Sequence, residues 1–340
     1  MPRPTPRFWQ SRSDWRARAL WPLSRLFGAV ASMRRFLYRV GGLRVVRLEV
    51  PVVVVGNIAV GGSGKTPVVQ WLVERLRARG YTPGVVSRGY GRASGAVVLV
   101  TADAAAEQVG DEPLLLARSV ACPVAVGADR VAAGRALLAA HPECNVIVAD
   151  DGMQHYRLHR DVEVAVVDQR VIGNALLLPA GPLREPLGRL ASVDLVVAHG
   201  ALDAATRRAA GAVPMTEMAL AGQVLRPVGR GAATPPLALS DLAGRRVHAV
   251  AGIGRPERFF AQLAAQGLRV IPHPFPDHHV FRVEDLCFDS PDPLIMTSKD
   301  AVKCASFALT NAWELPVEAC IADTAADRIV EKLLHGHQAA

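Results

Sequence analysis

The segment GNIAVGGSGKTP, residues 56–67, limits the possible folds of this chain more than any other feature of its sequence. Residues 51–55, directly before it, form a β-branched run that is typical of a buried strand. Apolar residues then recur at helical spacing as far as Gly80, a typical helix end. A strand, a glycine-rich loop and a helix in this order predict a phosphate-binding loop, and therefore an α/β fold of the P-loop NTPase type.

The residues of this loop are expected to surround the phosphates of a nucleotide. Glycines let backbone N–H groups turn toward phosphate oxygens, and the start of the helix adds its positive end. Lys65 can reach the β- and γ-phosphates, while the Thr66 hydroxyl can hold Mg²⁺. The commonest form of the loop has a glycine in place of Ala59, so this loop begins in a different way. The predicted binding residues are Ala59, Val60, Gly61, Gly62, Ser63, Gly64, Lys65 and Thr66.

Strand and helix patterns alternate along most of the chain. Such alternation predicts a doubly wound, mostly parallel sheet. The pattern resumes at 247–251 and 294–296, which predicts a second, smaller α/β domain from about residue 185. Residues 252–254, Gly-Ile-Gly, lack the third glycine of a dinucleotide fingerprint, so we expect a turn there. In the first half, strands are predicted at 84–87, 97–100, 124–126, 146–151 and 162–167, and helices at 107–118 and 129–140.

The net charge of +8 is concentrated at the N-terminus. Residues 1–47 hold eleven arginines and one acid, Asp14, so they carry +10 and the remaining chain carries −2. No aromatic stacking motif or reading helix accompanies this charge, so we expect no nucleic-acid partner. The five cysteines are scattered and include no C-x-x-C pair, which favours a reducing cytoplasm and argues against disulfides or a zinc site.

The same N-terminal segment carries an apolar stripe at helical spacing. Arginines interrupt every apolar run, which argues against a membrane-spanning helix and a secretory signal. Two interpretations remain: a basic amphipathic helix on an anionic bilayer, or a helix packed on the core with its arginines in solvent. Trp9, Trp15, Trp21 and Phe8 favour the membrane, as interfacial anchors. The stripe comprises Leu20, Leu23, Leu26, Phe27, Val30, Met33, Leu37 and Val40.

Several polar residues stand where predicted strands or loops end. Asp150 and Asp151 follow an apolar strand, and carboxylates at that position can bind Mg²⁺. Asp111 precedes an apolar run, and its spacing alone favours a helix cap. His278 lies in a proline-rich loop, where it is either functional or a solvent-exposed histidine. Arg184, between two prolines, is either a phosphate contact or an ordinary surface arginine.

Eight segments, in their order along the chain, resemble the tetraacyldisaccharide 4′-kinases, the lipid A kinases of Gram-negative bacteria. The resemblance covers nearly the whole chain, and a phosphate loop that begins with Gly-Asn is that family's own form. The segments are GNIAVGGSGKTP at 56–67, VVSRGYGR at 85–92, VGDEP at 109–113, DDGMQHYRLHRD at 150–161, LPAGPLREP at 178–186, AGIGRPERFF at 251–260, PDHH at 276–279 and MTSKDAVK at 296–303.

This resemblance implies an enzyme that transfers the γ-phosphate of ATP to a sugar hydroxyl. The acceptor would be the 4′-hydroxyl of a tetraacylated glucosamine disaccharide 1-phosphate, and the product would be lipid IVA in lipid A biosynthesis. Such a lipid substrate implies a peripheral protein on the cytoplasmic face of the bacterial inner membrane. The sequence shows no sign of an obligate protein partner.

The resemblance also implies roles for individual residues. Asp111 would work with His278 as a base, in place of the helix cap that spacing alone favours. Lys65 and Arg184 would stabilise charge on the transferred phosphoryl group. The metal, Mg²⁺, would be served by Thr66 and Asp150, with Asp151 and Glu185 nearby.

The family fold, two α/β/α domains joined by a short two-stranded linker, agrees with the two-part pattern of the chain. We therefore predict four parts. They are a basic membrane-associating segment at 1–47, a P-loop nucleotide-binding domain at 48–184, a second α/β domain at 185–311 and a C-terminal return to the first domain at 312–340.

Two other functions compete with a kinase. A P-loop GTPase or nucleotide-dependent chaperone would usually carry [NT]-K-x-D, whereas residues 297–300 place the lysine and aspartate side by side. A membrane-bound scaffold with a vestigial site conflicts with the intact Gly64-Lys65-Thr66. Measuring the consumption of ATP and of GTP, with and without the lipid acceptor, distinguishes the kinase from the GTPase or chaperone and from the scaffold.

Overall fold

The computed structural model describes residues 6–89, 92, 95–229 and 235–337, and these residues form two β-sheets. The strands, in chain order, are β1 (Val52–Gly56), β2 (Pro83–Ser87), β3 (Val98–Val100), β4 (Val124–Val126), β5 (Val146–Asp150), β6 (Val162–Val167), β7 (Leu195–His199), β8 (Met215–Ala221), β9 (Val224–Pro227), β10 (Leu237–Ala238), β11 (Arg246–Ala251), β12 (Arg269–Pro274), β13 (Leu294–Thr297), β14 (Ala312–Leu315) and β15 (Glu318–Ile321).

Helices cover both sheets. They are α1 (Trp15–Arg39), α2 (Lys65–Arg77), α3 (Ala106–Val109), α4 (Asp111–Ser119), α5 (Arg130–Ala140), α6 (Gln169–Ile172), α7 (Ala204–Ala210), α8 (Pro256–Ala265), α9 (Ser298–Cys304) and α10 (Asp323–His337). Short 3₁₀ helices occur at Arg7–Gln10, Leu187–Ser192, Leu239–Leu242 and Val283–Leu286.

The large sheet has nine strands in the order β15-β8-β7-β6-β1-β5-β2-β4-β3. Neighbouring strands run parallel except at the two edges, where β3 pairs with β4 and β15 pairs with β8 in antiparallel fashion. The strand that carries the glycine-rich loop, β1, lies between β6 and β5 in the middle of the sheet. Its side chains alternate between two hydrophobic cores, with Val53 and Val55 in one and Val52 and Val54 in the other. A strand covered on both faces is apolar throughout, which confirms the predicted doubly wound α/β fold.

The small sheet has six strands in the order β10-β9-β14-β13-β11-β12. Its four strands from β14 to β12 are parallel, while β9 and β10 are antiparallel additions at one edge. It is packed against two hydrophobic clusters of its own, one of which includes Phe259 and Leu263 of α8. The prediction of a second, smaller α/β unit in the fold is therefore confirmed.

The boundaries of the two sheets differ from the predicted domain limits. The large sheet includes β7 and β8, so it continues past residue 184. The chain leaves it after Ala221 and returns at Glu318, where β15 pairs with β8. β14, at 312–315, still belongs to the small sheet, so the return begins later than residue 312. Two chain segments thus connect the sheets, as a two-stranded linker requires, while the division into functional domains stays a prediction.

The N-terminal helix α1 contacts the rest of the protein through small residues. Ser24 Oγ donates to Leu177 O at 2.8 Å and accepts from Ala180 N at 2.9 Å. At Gly28 an added Cβ would lie 2.6 Å from Leu177 Cδ1, so glycine allows this close approach. No helix of the described residues is long and apolar enough to cross a membrane. The large apolar side chains that remain exposed on α1 and its C-cap residue Val40 are Trp15, Trp21, Leu23, Leu26, Val30, Met33, Phe36, Leu37 and Val40.

The helix predicted at 107–118 is divided into two helices, α3 and α4, at Gly110. Gly110 has φ 93° and ψ 151°, a backbone conformation that is essentially restricted to glycine and costs other residues on the order of 1–3 kcal/mol. Periodicity alone does not reveal such a break, because the apolar spacing continues across it. As a result Asp111 is the first residue of a separate helix.

Candidate active site

An open cleft of about 1700 Å³ lies where the carboxyl ends of the large-sheet strands face α8 and α9 of the small sheet. Open α/β sheets bind ligands at this edge. Residues 60–66 line the cleft, whereas Ala59 is buried outside it. Asp150, Asp151, Arg184 and His278 also line the cleft, so the structure brings most of the predicted site residues together.

Ala59 lies in an extended segment that pairs with a distant part of the chain. Val60 N donates to Pro182 O at 2.9 Å, and Arg184 N donates to Ile58 O at 2.7 Å. Between these bonds, Ala59 and Leu183 form an isolated antiparallel bridge. Because extended backbone requires no glycine, alanine fits here. The same pairing fixes Arg184 beside the phosphate loop.

Asn57 holds the turn of the loop from inside. Its Nδ2 donates to Gly61 O at 3.3 Å and to Ser63 Oγ at 3.2 Å. Gly61 and Gly64 both have positive φ, which lets the backbone turn before α2 begins at Lys65. The sequence analysis assigned no role to Asn57, although a polar residue directly after an apolar strand could have identified it.

Asp151 joins the two predicted phosphate-binding cations. Its carboxylate lies 3.6 Å from Lys65 Nζ and 3.2 Å from Arg184 Nη1. Burial works to raise the pKa of Asp151, but the charges of Lys65 and Arg184 outweigh it and lower that pKa. Arg184 Nη1 also donates to Gln154 Oε1 at 3.0 Å. Both cations are therefore held at the mouth of the glycine-rich loop.

Asp150 has one carboxylate oxygen without a partner. Oδ2 accepts from Ser87 Oγ at 3.1 Å, whereas the buried Oδ1 accepts no hydrogen bond from the described residues. Burial, followed by the negative charges of Glu112 and Asp151, raises the pKa of Asp150. Such an orphaned oxygen beside a second carboxylate suits a cation, which would offset the cost of burying this charge.

The predicted metal residues do not form a closed cluster. Thr66, Asp150 and Asp151 line the cleft, but Glu185 does not. The Glu185 carboxylate lies 3.2 Å from Arg189 Nε, accepts from Gln154 Nε2 at 2.8 Å and also accepts from the Tyr156 hydroxyl. No group of three or more His, Cys, Asp or Glu side chains able to hold a metal occurs in the described part of the chain. Among the described residues, Gln154 is the cleft-lining side chain that bonds the Glu185 carboxylate.

Asp111 and His278 meet across the cleft from different sheets. His278 Nδ1 lies 3.0 Å from Asp111 Oδ2. The helix-cap interpretation of Asp111 is wrong, because Gly110 is the cap residue and no side chain caps α4. Burial works to raise the pKa of Asp111, but the hydrogen bond from His278 and the charges of Lys303 and Lys299 lower it overall. An ionised Asp111 accepts a hydrogen bond from Nδ1, which favours the tautomer that has its proton on Nδ1 and its lone pair on Nε2.

The cleft contains further polar residues that the sequence analysis did not select. His199 lines the cleft, with Nδ1 3.3 Å from Ser63 O. Asp168 is buried behind the lining, where it accepts from Nη2 of the cleft-lining Arg258 of α8 at 2.8 Å. His199 is the last residue of β7, and Asp168 directly follows β6. Asp150 was selected as a polar residue at the end of an apolar strand, and the same criterion could have identified both. In the segment 85–92, Arg88 lines the cleft, while residues 90 and 91 lie outside the described residues.

Comparison with known proteins gives matches over nearly the whole chain. The family described as tetraacyldisaccharide-1-P 4′-kinase matches residues 16–335. A tetraacyldisaccharide 4′-kinase of Aromatoleum aromaticum is 60% identical over 341 residues and covers 100% of both chains. Another from an Azoarcus species is 60% identical over 334 residues, 97% of this chain and 96% of that one. A solved structure, LpxK from Aquifex aeolicus in complex with ATP, has a TM-score of 0.79 at 28% identity, covering 93% of this chain and 99% of that one.

The raised pKa of Asp150 gives a testable dependence of stability on pH. Because its folded pKa lies above the unfolded value, this carboxyl contributes stability at low pH that is lost as pH rises through the folded pKa. Asp150→Asn imitates the protonated form. We therefore expect it to raise the melting temperature of the metal-free protein at pH 8, by more than at pH 5.

The measurement is thermal unfolding in EDTA, followed by circular dichroism at both pH values. Glu331→Gln, at an exposed position of α10, is the matched control and should show no such trend. If Asp150→Asn lowers the melting temperature equally at both pH values, burial does not penalise the charge of Asp150.

Proposed function

This chain belongs to the tetraacyldisaccharide-1-P 4′-kinase family, and from that premise we propose how its residues carry out the reaction. The enzyme transfers the γ-phosphate of ATP to the 4′-hydroxyl of a tetraacyldisaccharide 1-phosphate, forming lipid IVA. The new bond joins the 4′-oxygen to the γ-phosphorus, the bond from that phosphorus to the β,γ-bridging oxygen breaks, and ADP leaves. The hydroxyl proton requires an acceptor.

We propose that His278 accepts this proton at Nε2. The contact that carries the proposal is the 3.0 Å hydrogen bond from Nδ1 to Asp111, which leaves Nε2 as the basic nitrogen of a cleft-lining ring. Asp111 lies outside the cleft lining, so it would fix the tautomer and orientation of the ring without touching the substrate. A base in this position typically accelerates transfer by about 10²–10⁴-fold.

Lys65 and Arg184 would stabilise the phosphoryl group during transfer. Phosphoryl transfer depends mainly on positioning and on neutralising charge spread over the equatorial oxygens. Both cations already lie within 3.6 Å of Asp151 oxygens at the mouth of the loop, so little reorganisation is needed when phosphate arrives. The backbone of residues 60–66, which line the cleft, would hold the remaining phosphate oxygens.

Mg²⁺ would be held by Thr66, Asp150 and Asp151, whose hydroxyl and carboxylate oxygens suit this cation. The unpartnered Asp150 Oδ1 supports that assignment. When bound, the ion would neutralise charge on the β- and γ-phosphates. Glu185 would act at a distance, since Gln154 bonds both Glu185 and Arg184 and so orients the arginine.

The test of the base compares Asp111→Asn, His278→Ala and the double variant at saturating ATP and Mg²⁺. We expect each single variant to lose about 10²–10⁴-fold in the rate of 4′-phosphorylation. Residues that act as a unit are not additive, so the double variant should lose little more than either single one. His141→Ala, at a half-exposed histidine that does not line the cleft, is the matched control. Near-normal turnover by folded His278→Ala would refute the proposed base.

The membrane surface is the proposed location of this enzyme, because its acceptor carries acyl chains. The exposed apolar residues of α1 stand among arginines, a combination that favours peripheral binding to the anionic, cytoplasmic face of the inner membrane. Arg25 lies over the ring of Trp21, and Arg34 lies over the ring of Tyr38. One helix therefore presents both cationic side chains for anionic headgroups and aromatic side chains for the membrane interface.

Substitution of Leu26, Val30 and Met33 by Gln should weaken binding to vesicles that contain anionic lipid, because it removes exposed apolar area. The control is Leu334→Gln, which changes an equally exposed residue of α10. Binding by the unaltered protein should also weaken with salt, since charge attraction is screened over about 8–10 Å. Vesicle sedimentation that is the same for the triple variant and the control would contradict the proposed membrane surface.

A further inference from the structure

Lysine is rare in this chain, and three of its four lysines lie at the cleft or directly behind it. The sequence has 39 basic residues, of which only Lys65, Lys299, Lys303 and Lys332 are lysines. Lys65 belongs to the phosphate loop, and Lys332 lies on the surface beside Asp194. Lys299 and Lys303 are four residues apart on α9, so their side chains lie on the same face of that helix. The function described above gives neither of them a role.

Lys303 connects Asp111 to the small sheet. Its Nζ lies 3.5 Å from Asp111 Oδ2, 3.0 Å from Asp300 Oδ1 and 3.2 Å from His279 O. Asp300 is fully buried and accepts from Gly252 N at 2.9 Å, which fixes it to the small sheet. The Lys303 side chain is 8% exposed and does not line the cleft. Lys303 therefore acts on the reaction through Asp111 and the backbone of His279, without lining the cleft itself.

Lys299 makes the second connection, one helical turn away. Its Nζ lies 3.4 Å from Glu112 Oε1, 3.2 Å from Asp277 Oδ1 and 3.5 Å from His278 Nε2. Burial works to lower the pKa of Lys299, but the neighbouring carboxylates of Glu112 and Asp277 raise it, so the amine stays charged. Lys299 thus joins the start of α4 to the loop that presents His278.

The charges explain why the two sides need these amines. Asp111 and Glu112 begin α4 on the large-sheet side, while Asp277 and Asp300 belong to the small-sheet side. Like charges brought this close repel each other, and repulsion grows where water is excluded. Two ammonium groups between four carboxylates turn this repulsion into attraction. His278 itself has φ +60°, a conformation that a non-glycine residue keeps only when its surroundings hold it.

We propose that Lys299 and Lys303 are positioning residues that clamp the start of α4 to the loop at 277–279 and so assemble the Asp111–His278 base across the cleft. The inference rests on the proposed base. Because a misplacement of about 1 Å can cost roughly 100-fold in rate, the two amines control turnover by placing the base, and Lys299 Nζ also contacts the Nε2 that accepts the proton.

The test uses Lys303→Met and Lys299→Met, which remove the charge and keep most of the side-chain volume. We expect each to lower kcat by about 10- to 100-fold. The KM for ATP should stay within about twofold, because neither lysine belongs to the phosphate loop. Lys332→Met is the matched control and should keep the kcat and KM of the unaltered enzyme. Circular dichroism melting checks that each variant is folded. If Lys303→Met does not fold, the kcat of Lys299→Met decides the test.

A second set of variants places each lysine substitution in a His278→Ala background. If the lysines act through the base, they should lower the residual rate by less than about twofold there, because their target is already lost. Full activity of His278→Ala alone would show that the proposed base is wrong. A weak His278→Ala enzyme combined with unchanged kcat in the lysine variants, or with equal losses in both backgrounds, would overturn the clamp and leave the base intact.

Discussion

The hydrogen bond between Asp111 and His278 connects parts of the protein that share no sheet. Asp111 starts α4 on the large sheet, and His278 lies in the loop that follows β12 of the small sheet. A hydrogen bond to a charged group contributes only about 1.5–3 kcal/mol, so this contact cannot hold the two sheets in place by itself. It depends on the backbone break at Gly110, on the strained conformation of His278 and on the charges around both residues.

On the opposite side of the cleft, the nucleotide end is held by local structure. β1 lies in the middle of the large sheet and is covered on both faces by hydrophobic cores. Because the glycine-rich loop follows β1 directly, its first residues are fixed by the packing of this strand. Pairing of residues 58–60 with 182–184 adds Arg184 to the same rigid unit. Two cations thus lie fixed at one side of the cleft, and the contact between Asp111 and His278 joins the two sheets at the other side.

The sequence predicts best what depends on neighbours along the chain. The strand, loop and helix at 51–80 are local, and so is the alternation that indicates a doubly wound sheet. The role of Asp111 is not local, because its partner is 167 residues away, and spacing alone led to a helix cap that the structure contradicts. The same limitation hid the pairing that explains Ala59, as well as the contacts of Glu185 with Arg189 and Tyr156.

The protonation of the His278 ring is the most direct measure of whether the base assembles as described. In the protein labelled with ¹⁵N-histidine, the signals that disappear in His278→Ala identify this ring among the ten histidines. The account predicts the tautomer with the proton on Nδ1 and none on Nε2, and loss of that preference in Asp111→Asn. A proton on Nε2 in the unaltered protein, or a tautomer that Asp111→Asn leaves unchanged, would contradict the account.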